Sequence, residues 1–251
     1  MLEVRDVHKR FGGNNAVDGC SFTVKAQTTV GLIGPNGAGK TTTVNLISGR
    51  LPVDRGEIVF NGKPIQNLPM WRVARQGLTR TFQISRELRA LTVMENMLIA
   101  AQLQRYEGLL QTLFELPRIR AAEEEWVRKA FELLELFQLT RLANQYAGNL
   151  SGGQKRLLEL ARSLMTDPEM LILDEPLAGV NPTTARNIAE YIETMRSRGI
   201  TLLIIEHNLN MVERLCERVV VMAEGSVLAE GNMREIRENP AVVDAYLGTV
   251  V

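Results

Sequence analysis

The stretch TTVGLIGPNGAGKTTTVNLISG, residues 28–49, changes character twice. It opens as TTVGLI, a short apolar run of the kind that forms a buried strand. It passes directly into GPNGAGKTT, residues 34–42, with the spacing G-x-x-x-x-G-K-[ST]. Apolar residues then return at helical intervals. Glycines let a backbone curl so that several amides point at one phosphate. Lys40 is placed to reach terminal phosphates, and the Thr41 hydroxyl to ligate Mg²⁺. The spacing thus predicts a phosphate-binding loop made of Gly34, Pro35, Asn36, Gly37, Ala38, Gly39, Lys40, Thr41 and Thr42.

Outward from this loop the chain divides into three patterns. In the first third, LEVRDV, SFTVKA and GEIVFNG alternate apolar and polar residues between glycine turns, which predicts strands. From about Glu87 to Tyr146 the pattern is helical. AAEEEWVRKAFELLELFQL carries Trp126, Val127, Ala130, Leu133, Leu134 and Phe137 on one face. The last third alternates apolar strands (EMLILDEP, ITLLIIEH, RVVVMAEG) with helices, which implies a mostly parallel sheet.

Composition narrows the function classes. Lys and Arg together number 29, as do Asp and Glu, so no net charge draws the chain to nucleic acid. The two cysteines, Cys20 and Cys216, have no metal-ligand spacing and are too few for a disulfide framework. No apolar run approaches a membrane span, and the N-terminus reads without a signal-peptide core, so a cytoplasmic protein is expected.

MLILDEP ends a buried strand in Asp174 and Glu175. Carboxylates at the C-terminal edge of a parallel strand stand where such sheets bind ligands. Asp174 is the candidate for holding Mg²⁺ through water, and Glu175 for polarising an attacking water. His207 ends the strand TLLIIEH in the equivalent position, where it could hydrogen-bond a γ-phosphate and that water. Gln83, after a possible edge strand, reads either as solvated or as a residue touching Mg²⁺ or water when nucleotide is bound. NLSGGQKRLLELARSL, residues 149–164, reads as a helix capped by Ser151, with Gln154 completing a capping box. The cap accounts for Ser151 and Gln154 but not for the glycine pair Gly152–Gly153, which weakens a helix start. A helix start with free amides is a ready anion site.

The order of phosphate loop, Gln83, LSGGQ, LILDEP and His207 resembles the ATP-binding cassette (ABC) ATPases over essentially the whole chain. The resemblance implies one α/β domain, residues 1–251. It has a P-loop NTPase core with a RecA-like, mostly parallel sheet, an N-terminal antiparallel β subdomain and a helical subdomain inserted at about 87–164. It implies ATP and Mg²⁺ as ligands, with Glu175, His207 and Gln83 catalytic and Thr41, Gln83 and Asp174 at the metal. It also implies head-to-tail pairing with a second copy or a paralogous cassette. Ser151, Gly152, Gly153 and Gln154 of one subunit then cap the nucleotide of the other. Phe11 in KRFGG stands where this family sets an aromatic against adenine; from spacing alone it is equally a core residue.

KRFGGNNAVDGCSF, GLTRTFQISRELRALTVMENMLIAA, IIEHNLNMVERLCERVVVMAEG and NPAVVDAYLG resemble the ATP-binding subunits of branched-chain amino acid importers. That likeness implies membrane permease subunits as partners, a solute-binding protein acting indirectly, and a place on the inner face of the cell membrane. LAGVNP also resembles the lipopolysaccharide-export ATPase, and Asn181 within it stands where many cassettes carry Asp. A GTPase switch would need an N-K-x-D motif, which is absent. A small-molecule kinase would need an arginine-rich lid, and a non-transport ABC ATPase paired cassettes or a long coiled-coil insertion.

Overall fold

A computed structural model describes residues 1–81, 88–102 and 116–247 of the chain. These fall into two compact units, one of residues 1–80, 169–177 and 189–251, the other of residues 81–168 and 178–188.

The first unit holds two sheets. β1 (Leu2–Phe11), β2 (Asn14–Val24), β4 (Arg55–Phe60) and β5 (Lys63–Pro64) form an antiparallel sheet in the order β2-β1-β4-β5. The second sheet joins β3 (Thr29–Ile33), β6 (Leu78–Arg80), β7 (Met170–Asp174), β8 (Thr201–Ile205), β9 (Arg218–Ala223) and β10 (Ser226–Gly231) in the order β10-β9-β3-β8-β7-β6. Every pairing in it is parallel except β9 with β10. All five residues of β3, β7 and β8 are buried, as strands covered on both faces require. One apolar cluster ties the two sheets together. Leu2, Val4, Phe22 and Phe60 of the first pack with Leu32, Ile172, Leu203 and Val220 of the second, and with Val44 and Ile47 of α1 (Lys40–Ile47). The edge strand predicted before Gln83 is β6; Gln83 itself lies outside the described residues.

Short α2 (Met70–Arg75) follows β5 in this unit. The second unit is helical: α3 (Val93–Gln102), α4 (Leu116–Leu136) and α5 (Gly152–Leu164) pack against one another. Trp126, Ala130, Leu133, Leu134 and Phe137 are buried as their periodicity predicts. Val127 is 36% exposed, so the buried stripe is narrower than the sequence suggests. Buried Asn96 accepts from the Leu88 amide and donates to the carbonyls of Leu88, Leu91 and Thr92, which fixes the chain at the start of α3. Thr92 and Glu95 add a capping box there.

α6 (Pro182–Ser197) begins on Asn181, whose side chain accepts from the Thr184 amide 2.9 Å away. Asn181 is therefore an N-cap with proline in the first helical position, a sufficient structural reason for that residue. α7 (Leu209–Leu215) is likewise capped by Asn208, and α8 (Met233–Glu238) by Asn232. α9 (Pro240–Leu247) ends the described chain.

Candidate functional site

The phosphate loop runs from the C-terminal end of β3 to the start of α1. Two glycines in it cannot be replaced. Gly34 has φ +147°, and a Cβ there would lie 2.1 Å from the Met222 carbonyl oxygen. Gly39 has φ +95°, and its Cβ would lie 2.4 Å from the Ala16 carbonyl oxygen. The loop is thus wedged between β9 and the start of β2. The amides of Gly37, Gly39, Lys40, Thr41 and Thr42 meet no acceptor among the described residues, while Thr43 begins the helix ladder by donating to Gly39. No side chain caps α1 and no acid lies in its first turn. The result is a concave row of open donors at the positive end of a helix.

Lys40 is buried, and its Nζ donates to the carbonyls of Gly34 at 2.7 Å and Pro35 at 2.9 Å. Burial pushes its pKa down, while the charge of Glu175 pushes it back up. Lys40 and Glu175 therefore sit within electrostatic reach of each other. Thr41, the next residue, is exposed on the loop.

Asp174 closes β7 and is 2% exposed. Glu175 follows with φ +48°, a left-handed conformation uncommon for a residue with a side chain. It is held there by its amide, which donates to Ile205 of β8 at 2.9 Å. The turn swings the Glu175 carboxylate toward the end of β8, where Oε1 lies 2.9 Å from His207 Nε2. The ends of β7 and β8 thus meet in a direct side-chain contact.

Two residues absent from the sequence reading hold this edge. Arg80, at the end of β6, donates from Nη2 to Asp174 Oδ2 at 2.7 Å and from Nη1 to Asn45 at 2.7 Å; its side chain is 5% exposed. Glu206 is 5% exposed, and burial pushes its carboxyl up. The amides of Leu177, His207 and Asn208 oppose that shift by donating to it. Glu206 so ties the turn after β7 to the turn after β8. In sequence, Arg80 is one basic residue among 29 basic residues, and Glu206 is masked by the apolar run before it.

The second unit presents the start of α5. Ser151 Oγ accepts from the Gln154 amide at 3.3 Å, and Gln154 Oε1 accepts from the Ser151 amide at 2.9 Å, so the capping box is complete. The glycines behave differently. A Cβ on Gly153 would lie 2.9 Å from Thr184 Cγ2, whereas a Cβ on Gly152 would meet nothing within 4 Å among the described residues. Gly153 thus answers to packing within the chain, and Gly152 does not. Phe11, at the tip of the β1–β2 hairpin, is 46% exposed with the Lys9 ammonium 5.7 Å from its ring centre, which removes the core reading of this residue.

Residues 17–178 match the family model described as ABC transporter. The chain belongs to the ABC transporter family of ATP-binding cassettes. The cassette is accordingly a nucleotide-binding ATPase domain. Residues 226–251 match a second model, described as branched-chain amino acid ATP-binding cassette transporter. The cassette is 42% identical over 250 residues to the probable branched-chain amino acid transport ATP-binding protein LivG of Archaeoglobus fulgidus, covering 99% of this chain and 95% of that one. It is 42% identical over 249 residues to the high-affinity branched-chain amino acid transport ATP-binding protein BraF of Pseudomonas aeruginosa, covering 99% and 98%. A nucleotide-free ATP-binding cassette from an ABC transporter superposes with TM-score 0.85 at 39% identity, covering 98% of each chain. An ADP-bound conformation of such a cassette gives the same score and identity over 99% and 98%.

The cassette's donor set fits a nucleotide with a divalent ion. Among the described residues no cluster of three or more His, Cys, Asp or Glu could hold a metal by itself. One hydroxyl, Thr41, and one carboxylate, Asp174, on neighbouring elements suit Mg²⁺, which takes few protein ligands and completes its shell with water and substrate phosphates. No helix among the described residues is long and apolar enough to cross a membrane.

Proposed function

We propose that this chain is the ATP-hydrolysing subunit of a branched-chain amino acid importer, pairing head to tail with a second cassette, a copy of itself or a paralogue. The observation that carries the hydrolytic part is the shared edge of β3, β8 and β7. There an open row of amides, Lys40, Asp174 and the Glu175–His207 contact stand at the C-terminal ends of adjoining parallel strands. The amides of Gly37 and of residues 39–42, with the Lys40 ammonium, take the β- and γ-phosphates, and Phe11 offers its exposed ring to adenine. Thr41, Asp174 and Gln83 would hold Mg²⁺, which would neutralise charge on the phosphate oxygens. Glu175 accepts the proton of the attacking water. His207, with Nε2 on Oε1, keeps that carboxylate oriented and lies within reach of the γ-phosphate.

Ser151, Gly152, Gly153 and Gln154 complete the site of the partner cassette. Gly152 supports this reading: among the described residues nothing crowds a side chain there, whereas an anion approaching the α5 amides would be crowded by one. Closure of the pair on MgATP is transmitted to membrane permease subunits on the cytoplasmic face, which receive solute from a binding protein. The solute assignment rests on likeness over nearly the full length of relatives named for branched-chain amino acid transport.

Two experiments test this. Ser151→Arg and Lys40→Ala homodimers should each be inactive, and mixing them should restore ATPase activity, because both lesions then share one composite site. An ATP-trapped Glu175→Gln pair gives the direct measurement: Ser151 must lie beside the γ-phosphate held by the other subunit, and finding it elsewhere refutes head-to-tail pairing. For the solute, proteoliposomes carrying the cassette with its permease and binding protein should take up leucine, isoleucine or valine only with internal ATP. Uptake of an unrelated solute alone would refute the assignment.

A further inference from the structure

Among the described residues Asp174 and Glu206 are the two buried carboxylates. Asp174 has the Arg80 guanidinium beside it. Glu206 is met by main-chain amides instead: Oε1 accepts from Leu177 at 3.0 Å, and Oε2 accepts from His207 at 3.2 Å. A carboxyl group kept out of water is costly to ionise, and an apolar residue would fill the same space without that cost. The strand that leads into it, TLLII, is buried throughout. Packing therefore gives no reason for a carboxylate at this position; the two amides do.

The two bonds fall on either side of the Glu175–His207 contact. The turn after β7 is held at Glu175, whose amide donates to Ile205 at 2.9 Å, and again at Leu177, whose amide donates to Glu206. Residues 205 and 206 thus fix both ends of the turn that carries Glu175 in its left-handed conformation, φ +48°. The other oxygen of Glu206 fixes the main chain of His207, whose Nε2 lies 2.9 Å from Glu175 Oε1. One carboxylate so sets the backbone of both partners in that contact. Both of its oxygens must accept. An ionised carboxylate does this, and a carboxamide, with one oxygen and one NH₂, does not.

We propose that Glu206 is a positioning residue for hydrolysis, holding Glu175 and His207 in the mutual geometry from which Glu175 takes the proton of the attacking water. Glu206 acts through these two residues and not on the nucleotide or the water. It sets their places before ATP arrives, so that no reorganisation is needed at the moment of reaction. The proposal rests on the reading of Glu175 and His207 as the hydrolytic pair.

The test is Glu206→Gln in the full chain, which keeps the size of the side chain and one acceptor. Its kcat should fall roughly 10- to 100-fold, the cost of misplacing a reacting group by about 1 Å. The Kd for a fluorescent ATP analogue should stay within about two-fold, because the phosphate loop is untouched. In a Glu175→Gln background the same change should lower the residual single-turnover rate by less than about two-fold, since the base it positions is already gone. Glu206→Leu removes both acceptors without adding a buried donor, and serves if the carboxamide does not fold; it should lose at least as much kcat at the same Kd. Hydrogen exchange needs no variant: the Leu177 and His207 amides of the unaltered chain should be protected. Wild-type kcat, an equal fall in both backgrounds, a loss of affinity that matches the fall in kcat, or fast exchange at both amides overturns the proposal. Glu175→Gln alone separates the two readings. If it turns over as wild type does, the hydrolytic pair is misassigned, and the role of Glu206 fails with it. If it abolishes turnover while both Glu206 variants keep wild-type kcat, only the role of Glu206 fails.

Discussion

Replacing Arg80 by methionine should destabilise the first unit by about 3 kcal/mol, the lower end of the range for breaking a buried ion pair. The guanidinium and the Asp174 carboxylate are 5% and 2% exposed and 2.7 Å apart, so neither can turn to water when its partner is lost. The lower end applies because Asp174 keeps other contacts and stands at the end of its strand. Two bonds from the guanidinium to neutral acceptors go as well, to Asn45 at 2.7 Å and to Ser48 at 3.3 Å. For a chain of this size about 1 kcal/mol moves the melting temperature by roughly 2–4 °C, so a fall of about 6–12 °C is expected. Circular dichroism melts in EDTA, without nucleotide, keep metal off Asp174. The partner change is Asp174→Leu, isosteric with aspartate and without charge. Each single variant strands one buried charge; the double variant strands none and should recover much of the loss. A coupling of at least about 2 kcal/mol is expected, well beyond the ~0.5 kcal/mol scatter of independent sites. Additive effects, or a loss under about 1 kcal/mol in Arg80→Met, would refute the view that this pair holds the strand edge.

Three other outcomes follow from the geometry. Glu175→Gln should slow phosphate release by roughly 10²–10⁴-fold while nucleotide titration stays unchanged, since the amide keeps the shape but cannot take a proton; turnover within tenfold of wild type would remove the assignment. Gly152→Ala should leave the melting temperature unchanged or raise it, by up to about 1 kcal/mol of stability, yet lower ATPase activity, because its added methyl meets no atom of the described residues. Gly153→Ala should instead lower stability, since its methyl lands 2.9 Å from Thr184. Burial pushes the Cys20 and Cys216 thiols up to about 12. At pH 8 only roughly 10⁻⁴ of each is thiolate, so alkylation should wait for unfolding, and rapid labelling of the native chain would contradict their burial.

The features legible in the sequence are those written in short, contiguous signals. Loop residues 34–42, the strand ending in Asp174 and Glu175, the Ser151–Gln154 capping box and the mostly parallel sheet all depend on residues a few positions apart. Hydrophobic period, glycine spacing and cap chemistry act over that same range, so reading them needs no knowledge of what lies across the fold. The tertiary structure alone decided the rest. Arg80 meets Asp174 from 94 residues away, and His207 meets Glu175 from 32 residues away. Residues 178–188 join the helical unit although they follow β7 in sequence. Phe11 turned out to be exposed, and Gly153 answers to Thr184 while Gly152 meets nothing among the described residues. A buried charge or an unpaired amide must find a partner wherever the fold brings one near, and which residue that is depends on how the strands are ordered in the sheet, which no local pattern of side chains specifies.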